Sequence, residues 1–113
     1  MTLFIYKICP GNIWRDAEMK GEFLGAGIDL VDGYIHFSTG AQTNETARLH
    51  FHGQEGLILA QVDISNLDIV WEASRGGDLF PHLYGSLPMR SVKKVIDIPL
   101  GADQTPEIPN DLA

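Results

Sequence analysis

Apolar residues along the chain follow the spacing of β-strands in five stretches. The run at 3–8 is apolar and aromatic and ends at a Cys-Pro-Gly sequence, and 56–63 is almost continuously apolar. A continuous run of this length is typical of a strand buried on both faces, so we expect 56–63 at the centre of the sheet. The residues at 34–37, 67–73 and 92–98 predict three further strands.

Two other stretches have the spacing of short helices. Residues 13–19 carry a narrow apolar stripe behind Asn12, a residue type that caps helix N-termini, and a glycine follows them. Thr39 and Gln42 match a capping box, in which the threonine side chain bonds forward to an amide and the glutamine reaches back. The second helix is therefore expected over about 40–52.

These elements predict a single α+β domain over residues 1–100, dominated by a strongly bent or split sheet with two short helices. Residues 21–33 contain four glycines and are expected to form an irregular loop that covers apolar side chains. Residues 101–113 are acidic, contain prolines and carry few large apolar side chains. We therefore expect them to form a poorly ordered tail.

The charge of the chain limits its partners. Its 113 residues include 15 acidic and 8 basic side chains, which give a formal net charge of −7. This balance argues against a broad nucleic-acid-binding surface, because affinity for phosphate backbones comes mainly from lysine and arginine. One arginine with a set of backbone amides can still hold a small anionic or nucleotide ligand.

Cysteine content and hydropathy indicate the compartment. The lone cysteine, Cys9, cannot form an internal disulfide, in keeping with a reducing compartment. No apolar run approaches the ~20 residues that span a bilayer. Residues 1–4 also lack the pattern of a secretory leader. We therefore expect a cytoplasmic protein with no membrane partner.

Residues 32–39 concentrate candidate chemistry in one short stretch. They begin with an Asp-Gly turn and continue into strand-forming residues, so His36 is expected on a strand. Period-two alternation places Tyr34, His36 and Ser38 on one face, with the apolar residues between them facing the core. This arrangement predicts a polar functional face.

Residues 74–85 form the second candidate stretch. Paired glycines let the backbone approach a ligand closely, and Arg75 can clamp a phosphate or carboxylate with its planar guanidinium. The aromatic residues and histidine that follow make a loop more typical of binding than of packing. The predicted ligand-binding residues are Thr39, Ser74, Arg75, Gly76, Gly77, Phe80 and Tyr84.

The predicted catalytic residues are His36 and His82, with Ser38 as a weaker nucleophile candidate. Two histidines can supply an acid and a base near neutral pH. No Gly-x-Ser-x-Gly sequence surrounds the serine. His50 and His52 point to opposite sides of a helix and cannot chelate one ion together, so no metal site is predicted.

The same two stretches carry a resemblance to a known family. Residues 5–8, 32–39, 74–77 and 79–85 look like those of a family of small bacterial proteins catalogued as domain of unknown function 952. The resemblance covers about residues 3–100, and the motifs agree in order and spacing.

The resemblance implies the ADP-ribosyltransferase fold, in which a split, mostly antiparallel sheet grips a nicotinamide dinucleotide. In such transferases a strand histidine followed by a small hydroxyl residue contacts the ribose beside the nicotinamide, and His36-Phe37-Ser38-Thr39 is similar in type. The resemblance therefore implies NAD as a cofactor. It also implies a later catalytic glutamate, for which Glu72 lies in the corresponding half of the chain without a flanking motif.

Three functions are compatible with these residues. The first is an enzyme or ligand-binding protein whose cleft joins His36, Ser38, Arg75 and His82 around a phosphate- or nucleotide-containing molecule. The second is a two-histidine phosphoesterase, which uses paired His-x-Ser/Thr strands. His36-Phe37-Ser38 fits one of these, whereas His82 fits the other only if a tyrosine replaces the hydroxyl residue. The third is a non-catalytic sensor or interaction module.

Overall fold

Within residues 3–112, which the computed structural model describes apart from the side chain of Arg75, the chain forms eight strands and three α-helices. The strands are β1 (Phe4–Pro10), β2 (Glu22–Phe23), β3 (Ile35–His36), β4 (Leu57–Asp63), β5 (Ile69–Ala73), β6 (Leu79–Leu83), β7 (Leu87–Pro88) and β8 (Val92–Ile98). The helices are α1 (Gly11–Lys20), α2 (Ile28–Asp32) and α3 (Thr43–His50). The α+β class expected from the sequence is confirmed. No helix in the described part of the chain is both long and apolar enough to cross a membrane.

The strands pair antiparallel in three sheets within the described residues. The first has the order β1-β4-β8, the second pairs β2 with β7, and the third has the order β3-β6-β5. Residues 57–60 and Val62 of β4 are buried. This burial explains the continuous apolar sequence of β4 and confirms it as the centre of its sheet.

Successive residues of β1 face opposite sides of the first sheet. Ile5 and Cys9 belong to a core cluster that also contains residues of α1, β2, β3 and β6. Tyr6 and Ile8 belong to a second cluster, which includes Ala47 of α3. The other two sheets and α1 therefore pack on one face of the first sheet, and α3 packs on the other.

Residues 35–38 connect the first sheet to the third. The Phe37 amide donates to the carbonyl of Pro81 in β6 at 3.0 Å. The next residue, Ser38, exchanges two backbone hydrogen bonds with Tyr6 of β1, at 2.8 and 2.9 Å. Consecutive residues thus pair with different sheets, which places the predicted catalytic stretch at the junction between them.

The two predicted helices are confirmed, with different boundaries. α1 begins two residues earlier than expected, because Pro10 occupies the N-cap and Asn12 lies inside the first turn without a capping hydrogen bond. Gly21 ends α1 with φ 84°, a conformation that glycine adopts without steric cost. The capping box of Thr39 and Gln42 is present, but it starts a 3-10 turn that leads into α3.

The prediction of an irregular loop at 21–33 is wrong, because this stretch contains β2 and α2. Phe23 is buried as expected, whereas Leu30 and Val31 are 67% and 79% exposed. The residue of α2 that faces inward is Asp29, which is 2% exposed. The apolar pattern was misleading here because polar contacts, rather than apolar burial, hold α2 to the domain.

The loop expected around His82 is a strand, β6, which lies at the centre of the third sheet. Pro81 is unusual in a central strand, since proline lacks the amide that such a strand needs. The amide and carbonyl of one residue in an antiparallel strand point to the same neighbour. The Pro81 carbonyl accepts from Phe37, beyond the end of β3, so the missing amide removes no hydrogen bond to β5.

The expectation of a poorly ordered tail is also wrong. Ile108 is buried in the second core cluster, and Leu112 packs against it. The Gly53 amide donates to the carbonyl of Gln104 at 2.7 Å, and the Glu107 amide donates to that of Pro99 at 2.8 Å. Few apolar residues are present in this segment, but they are the ones that pack against the domain.

Candidate functional site

Strand pairing brings the two predicted histidines together. His36 of β3 lies directly opposite His82 of β6. Their ring centroids are 5.2 Å apart, with the rings nearly perpendicular. The structure therefore brings together the two histidines that were expected to share a pocket with Arg75, while the side chain of Arg75 lies outside what it describes.

Both histidines line a cleft of about 690 Å³, a volume within the range of small-molecule sites. The lining includes residues of β1, α1, the start of α2, β3, α3 and β6. Of the predicted site residues, those that line it are His36, Ser38, Ser74, Phe80 and His82. Those that are described but lie outside its lining are Thr39, Gly76, Gly77 and Tyr84.

A glutamate orients His82. The Nδ1 atom of His82 lies 2.6 Å from Oε1 of Glu72, and the Tyr84 hydroxyl donates to the same oxygen at 2.7 Å. A carboxylate accepts hydrogen bonds only, so Nδ1 carries a hydrogen, as in other carboxylate-oriented histidines. These hydrogen bonds, from His82 first and then Tyr84, hold the pKa of Glu72 below its usual value. The bond to Glu72 raises the pKa of Tyr84 to about 12.

His36 is held by two aspartates of α2. Its Nδ1 lies 2.7 Å from Oδ1 of Asp29, and its Nε2 lies 3.0 Å from Oδ2 of Asp32. The backbone amide of His36 also donates to Oδ1 of Asp29 at 3.0 Å. The ring and the backbone of this residue are therefore fixed by the same carboxylate.

Lys7 of β1 completes a buried ionic cluster with Asp29. The Lys7 Nζ atom lies 2.8 Å from Oδ2 of Asp29 and donates to the His36 carbonyl at 2.8 Å. Burial opposes the charged form of Asp29, but the Lys7 ammonium and the hydrogen bonds to the carboxylate bring the pKa of Asp29 below its usual value. Burial lowers the pKa of Lys7, and the Asp29 carboxylate opposes that shift.

Tyr34 packs against both histidines. Its ring centroid lies 4.5 Å from that of His36, 4.5 Å from that of His82 and 4.8 Å from that of Tyr84. Desolvation, followed by the charges of Asp32 and Glu72, raises the pKa of Tyr34. The ring therefore limits how far either imidazole can turn.

Ser38 and Thr39 have structural partners. The Ser38 hydroxyl lies 2.9 Å from that of Thr46, and the residue is 5% exposed. The Thr39 amide donates to Oε1 of Gln42 at 3.0 Å, as part of the capping box. Neither arrangement includes a hydrogen bond to a histidine within the described residues, so the geometry gives no activating base to Ser38.

The glycine pair forms a tight turn beside the cleft. The Ser74 amide donates to the Asp78 carbonyl, and the Gly77 amide donates to the Ser74 carbonyl, both at 2.9 Å. Gly76 and Gly77 have φ of 66° and 83°, so the turn requires glycine at both positions. The side chain of Arg75 lies outside what the structure describes, and its role as an anion clamp remains a prediction.

Sequence reasoning missed Asp29 and Lys7 as site residues. Asp29 offered one signal, an acidic residue inside the apolar run Ile28-Asp29-Leu30-Val31. Such a residue is rarely buried unless it has a partner. The partner, Lys7, lies on another element, and no local pattern connects the two. Within the described residues, no cluster of three or more histidine, cysteine or acidic side chains is arranged to hold a metal.

Known proteins are similar to this chain over most of its length. The family described as "Protein of unknown function (DUF952)" matches residues 8–95. The crystal structure of protein CC0527 from Caulobacter crescentus is 44% identical, covers 92% of this chain and 93% of its own, and has a TM-score of 0.88. The solution NMR structure of CC0527 is 45% identical, covers 97% of both chains and has a TM-score of 0.85. No curated protein matches the chain.

Proposed function

The chain belongs to the DUF952 family, and from the geometry of its cleft we propose that it is a nucleotide-binding enzyme with an ADP-ribosyltransferase-like fold. His82 is the proton-transfer group, and NAD is the first candidate ligand. The observation that carries the proposal is the position of His82. It faces His36 at 5.2 Å in a cleft, while Glu72 fixes its Nδ1 atom.

The contacts of His82 are those of a general base. Glu72 holds the hydrogen on Nδ1, which leaves Nε2 as the proton acceptor of the neutral ring. Nε2 makes no hydrogen bond to any of the described residues. A histidine oriented by a carboxylate, with its second nitrogen unengaged, has the arrangement of a catalytic acid or base.

The lining of the cleft supports a nucleotide as the ligand. The lining includes Phe51 and Phe80, aromatic residues of the kind that pack against a base, and Ser74, a polar residue suited to a ribose or phosphate. The predicted guanidinium clamp of Arg75 would add charge complementarity. NAD is the first choice because the antiparallel sheets meet at the cleft, as the resemblance to ADP-ribosyltransferases implies.

The proposed reaction transfers ADP-ribose to an acceptor hydroxyl or to water. The acceptor oxygen forms a bond to the ribose carbon that carries nicotinamide, and the bond from that carbon to the nicotinamide nitrogen breaks. Nicotinamide leaves with the bonding electron pair, which neutralises its ring. The acceptor's proton passes to Nε2 of His82 and then to solvent.

Nicotinamide release tests this proposal. We expect purified protein to bind NAD in calorimetry and to release nicotinamide, measured by chromatography. His82→Ala should lower the rate by roughly 100-fold or more, as expected for loss of a general base. His52→Ala is the matched control, because His52 is exposed and lies outside the cleft lining. Absence of both NAD binding and nicotinamide release in the wild-type protein would overturn the assignment of NAD.

The register of the two histidines favours a second candidate, a two-histidine phosphoesterase. His36 and His82 face each other from adjacent antiparallel strands, as paired catalytic histidines would. A 2′,3′-cyclic nucleotide is the corresponding substrate, and its hydrolysis without any NAD turnover would select this reaction. Binding of a nucleotide without turnover of either substrate would instead indicate a non-catalytic sensor.

A further inference from the structure

We infer that Asp29 is a positioning residue that holds His36 as a fixed hydrogen-bond donor, which leaves His82 as the histidine of the pair that exchanges protons. The functional part of this inference rests on the proposed function. The state of the His36 ring is a property of the free protein and can be measured without any substrate.

Asp29 is built into the domain through four contacts. Its side chain is fully buried. One oxygen, Oδ1, accepts from the amide of His36 and faces the Nδ1 atom of its ring. The other, Oδ2, accepts from the Ala26 amide at 3.0 Å and lies 2.8 Å from Nζ of Lys7. The carboxylate therefore cannot turn away from the His36 ring without breaking contacts to three other groups.

The His36 ring lies between two carboxylates. Asp29 faces Nδ1 at 2.7 Å, and Asp32 faces Nε2 at 3.0 Å. A neutral imidazole has a hydrogen on one nitrogen and a lone pair on the other. Such a ring would direct a lone pair at one of the two carboxylates. The ring that satisfies both contacts carries a hydrogen on each nitrogen and therefore a positive charge.

The groups around His36 balance this charge. Lys7 of β1 is positive, while Asp29 and Asp32 of α2 are negative, so a charged His36 makes the group neutral. The ring of Tyr34 lies on one side of it, and that of His82 lies on another. The charged residue of β5 is Glu72, which is bonded to His82 and Tyr84.

The two histidines therefore differ in what they can do. Both ring nitrogens of His36 are engaged, so the ring can present positive charge to a bound anion but has no free nitrogen to accept a proton. His82 has one nitrogen held by Glu72 and the other without a hydrogen-bond partner among the described residues. Proton transfer then belongs to His82, and His36 stabilises negative charge.

Nitrogen NMR of the free protein tests the inference. Long-range ¹H–¹⁵N spectra distinguish a ring nitrogen that carries a hydrogen from one with a lone pair. Both nitrogens of His36 should carry a hydrogen, and in His82 the Nδ1 atom that faces Glu72 should carry one. A neutral His36 at pH 7, with one bare nitrogen, would overturn the inference.

Two variants keep the test decisive. Asp32→Asn removes the partly exposed carboxylate that faces Nε2 of His36, and we expect the nitrogen signal of Nε2 to move toward that of a nitrogen with a lone pair. Asp29→Asn should have a larger effect and also free the ring to turn, but it removes the counter-ion of Lys7 and the protein must first be shown to fold. The control is Asp16→Asn on the exposed face of α1, which should leave both histidines unchanged.

Measurements of activity separate this inference about His36 from the proposed reaction. If NAD is turned over, Asp32→Asn should lower kcat more than it raises KM, because the charge on His36 acts on the transition state. Equal rates and pH profiles in Asp32→Asn and the wild type would contradict that role. If NAD is not turned over, the NMR result still decides whether His36 is a fixed donor, so failure of the proposed reaction does not decide this inference.

Discussion

Asp29 contributes to stability as well as to the site, because its buried carboxylate bonds four groups from three parts of the chain. Removing one partner from a buried ion pair leaves the other charge uncompensated. We expect Asp29→Asn to lower the free energy of unfolding by about 3–5 kcal/mol at pH 7, measured by urea denaturation. Asp16→Asn, in an exposed pair with Lys20, should cost less than about 1 kcal/mol.

The effect of Asp29 should depend on pH in one direction. The pKa of Asp29 in the folded protein lies below its usual value, so folding favours the charged carboxylate. Its contribution is fully present above the unfolded pKa of about 4 and is lost as the pH falls through the folded value. The stability difference between wild type and Asp29→Asn should therefore shrink below pH 4. A difference of the same size at pH 3 and pH 7 would contradict this linkage.

Cys9 should report on unfolding. The residue is fully buried, and burial raises the pKa of its thiol to about 11. Thiol reagents attack the thiolate, so at pH 8 the folded protein should react much more slowly than the protein in urea. Rapid labelling of the folded protein would mean that β1 opens readily. Labelling in urea provides the positive control.

At the level of elements, β3 shows how a two-residue strand can be essential. Ile35 is 1% exposed and lies in the first core cluster. Ile35→Ala should therefore cost about 2–5 kcal/mol in unfolding experiments. Ile28→Ala is the matched control, since Ile28 is 58% exposed and should change stability by less than about 0.5 kcal/mol. Equal costs would mean that exposure does not distinguish the two isoleucines.

Some elements follow from local pattern and others do not. β4 and β8 could be predicted because each has strand-forming residues between turn residues. β6 was missed because Pro81 normally excludes a central strand, and only the shortness of β3 makes it acceptable there. α2 was missed because its inward residue is an aspartate. In each case the decisive contact comes from a distant part of the chain.

The residues of the candidate site also differ in whether the sequence could predict them. His36 and His82 could be selected from sequence because each lies in a stretch with several unusual residues. The partners that set their chemistry could not, since Glu72 reaches His82 through the register of β5 and β6, and Lys7 reaches Asp29 from β1. Charges on separate elements have no common periodicity from which their contact could be inferred.

For the whole molecule, the C-terminal segment should be part of the stable unit. Ile108 lies in the second core cluster, against which Leu112 also packs. Deleting residues 101–113 should lower the free energy of unfolding by more than about 2 kcal/mol, the scale of one buried isoleucine. Ile108→Ala should give much of this loss, while Glu107→Ala, at an exposed position, should cost less than about 0.5 kcal/mol. An unchanged midpoint after deletion would mean that this segment adds nothing to stability.

The junction at residues 35–38 also determines when the site can form during synthesis. β1 and β4 can pair as soon as β4 has left the ribosome, but β3 has no partner until β6 follows. Contacts between distant segments require the closure of long loops and form slowly. A nascent chain that stops before β6 therefore has the first strands of a sheet but no histidine pair. Translation products that end before β6 would lack the proposed activity, because the cleft forms only when the chain is available as far as His82.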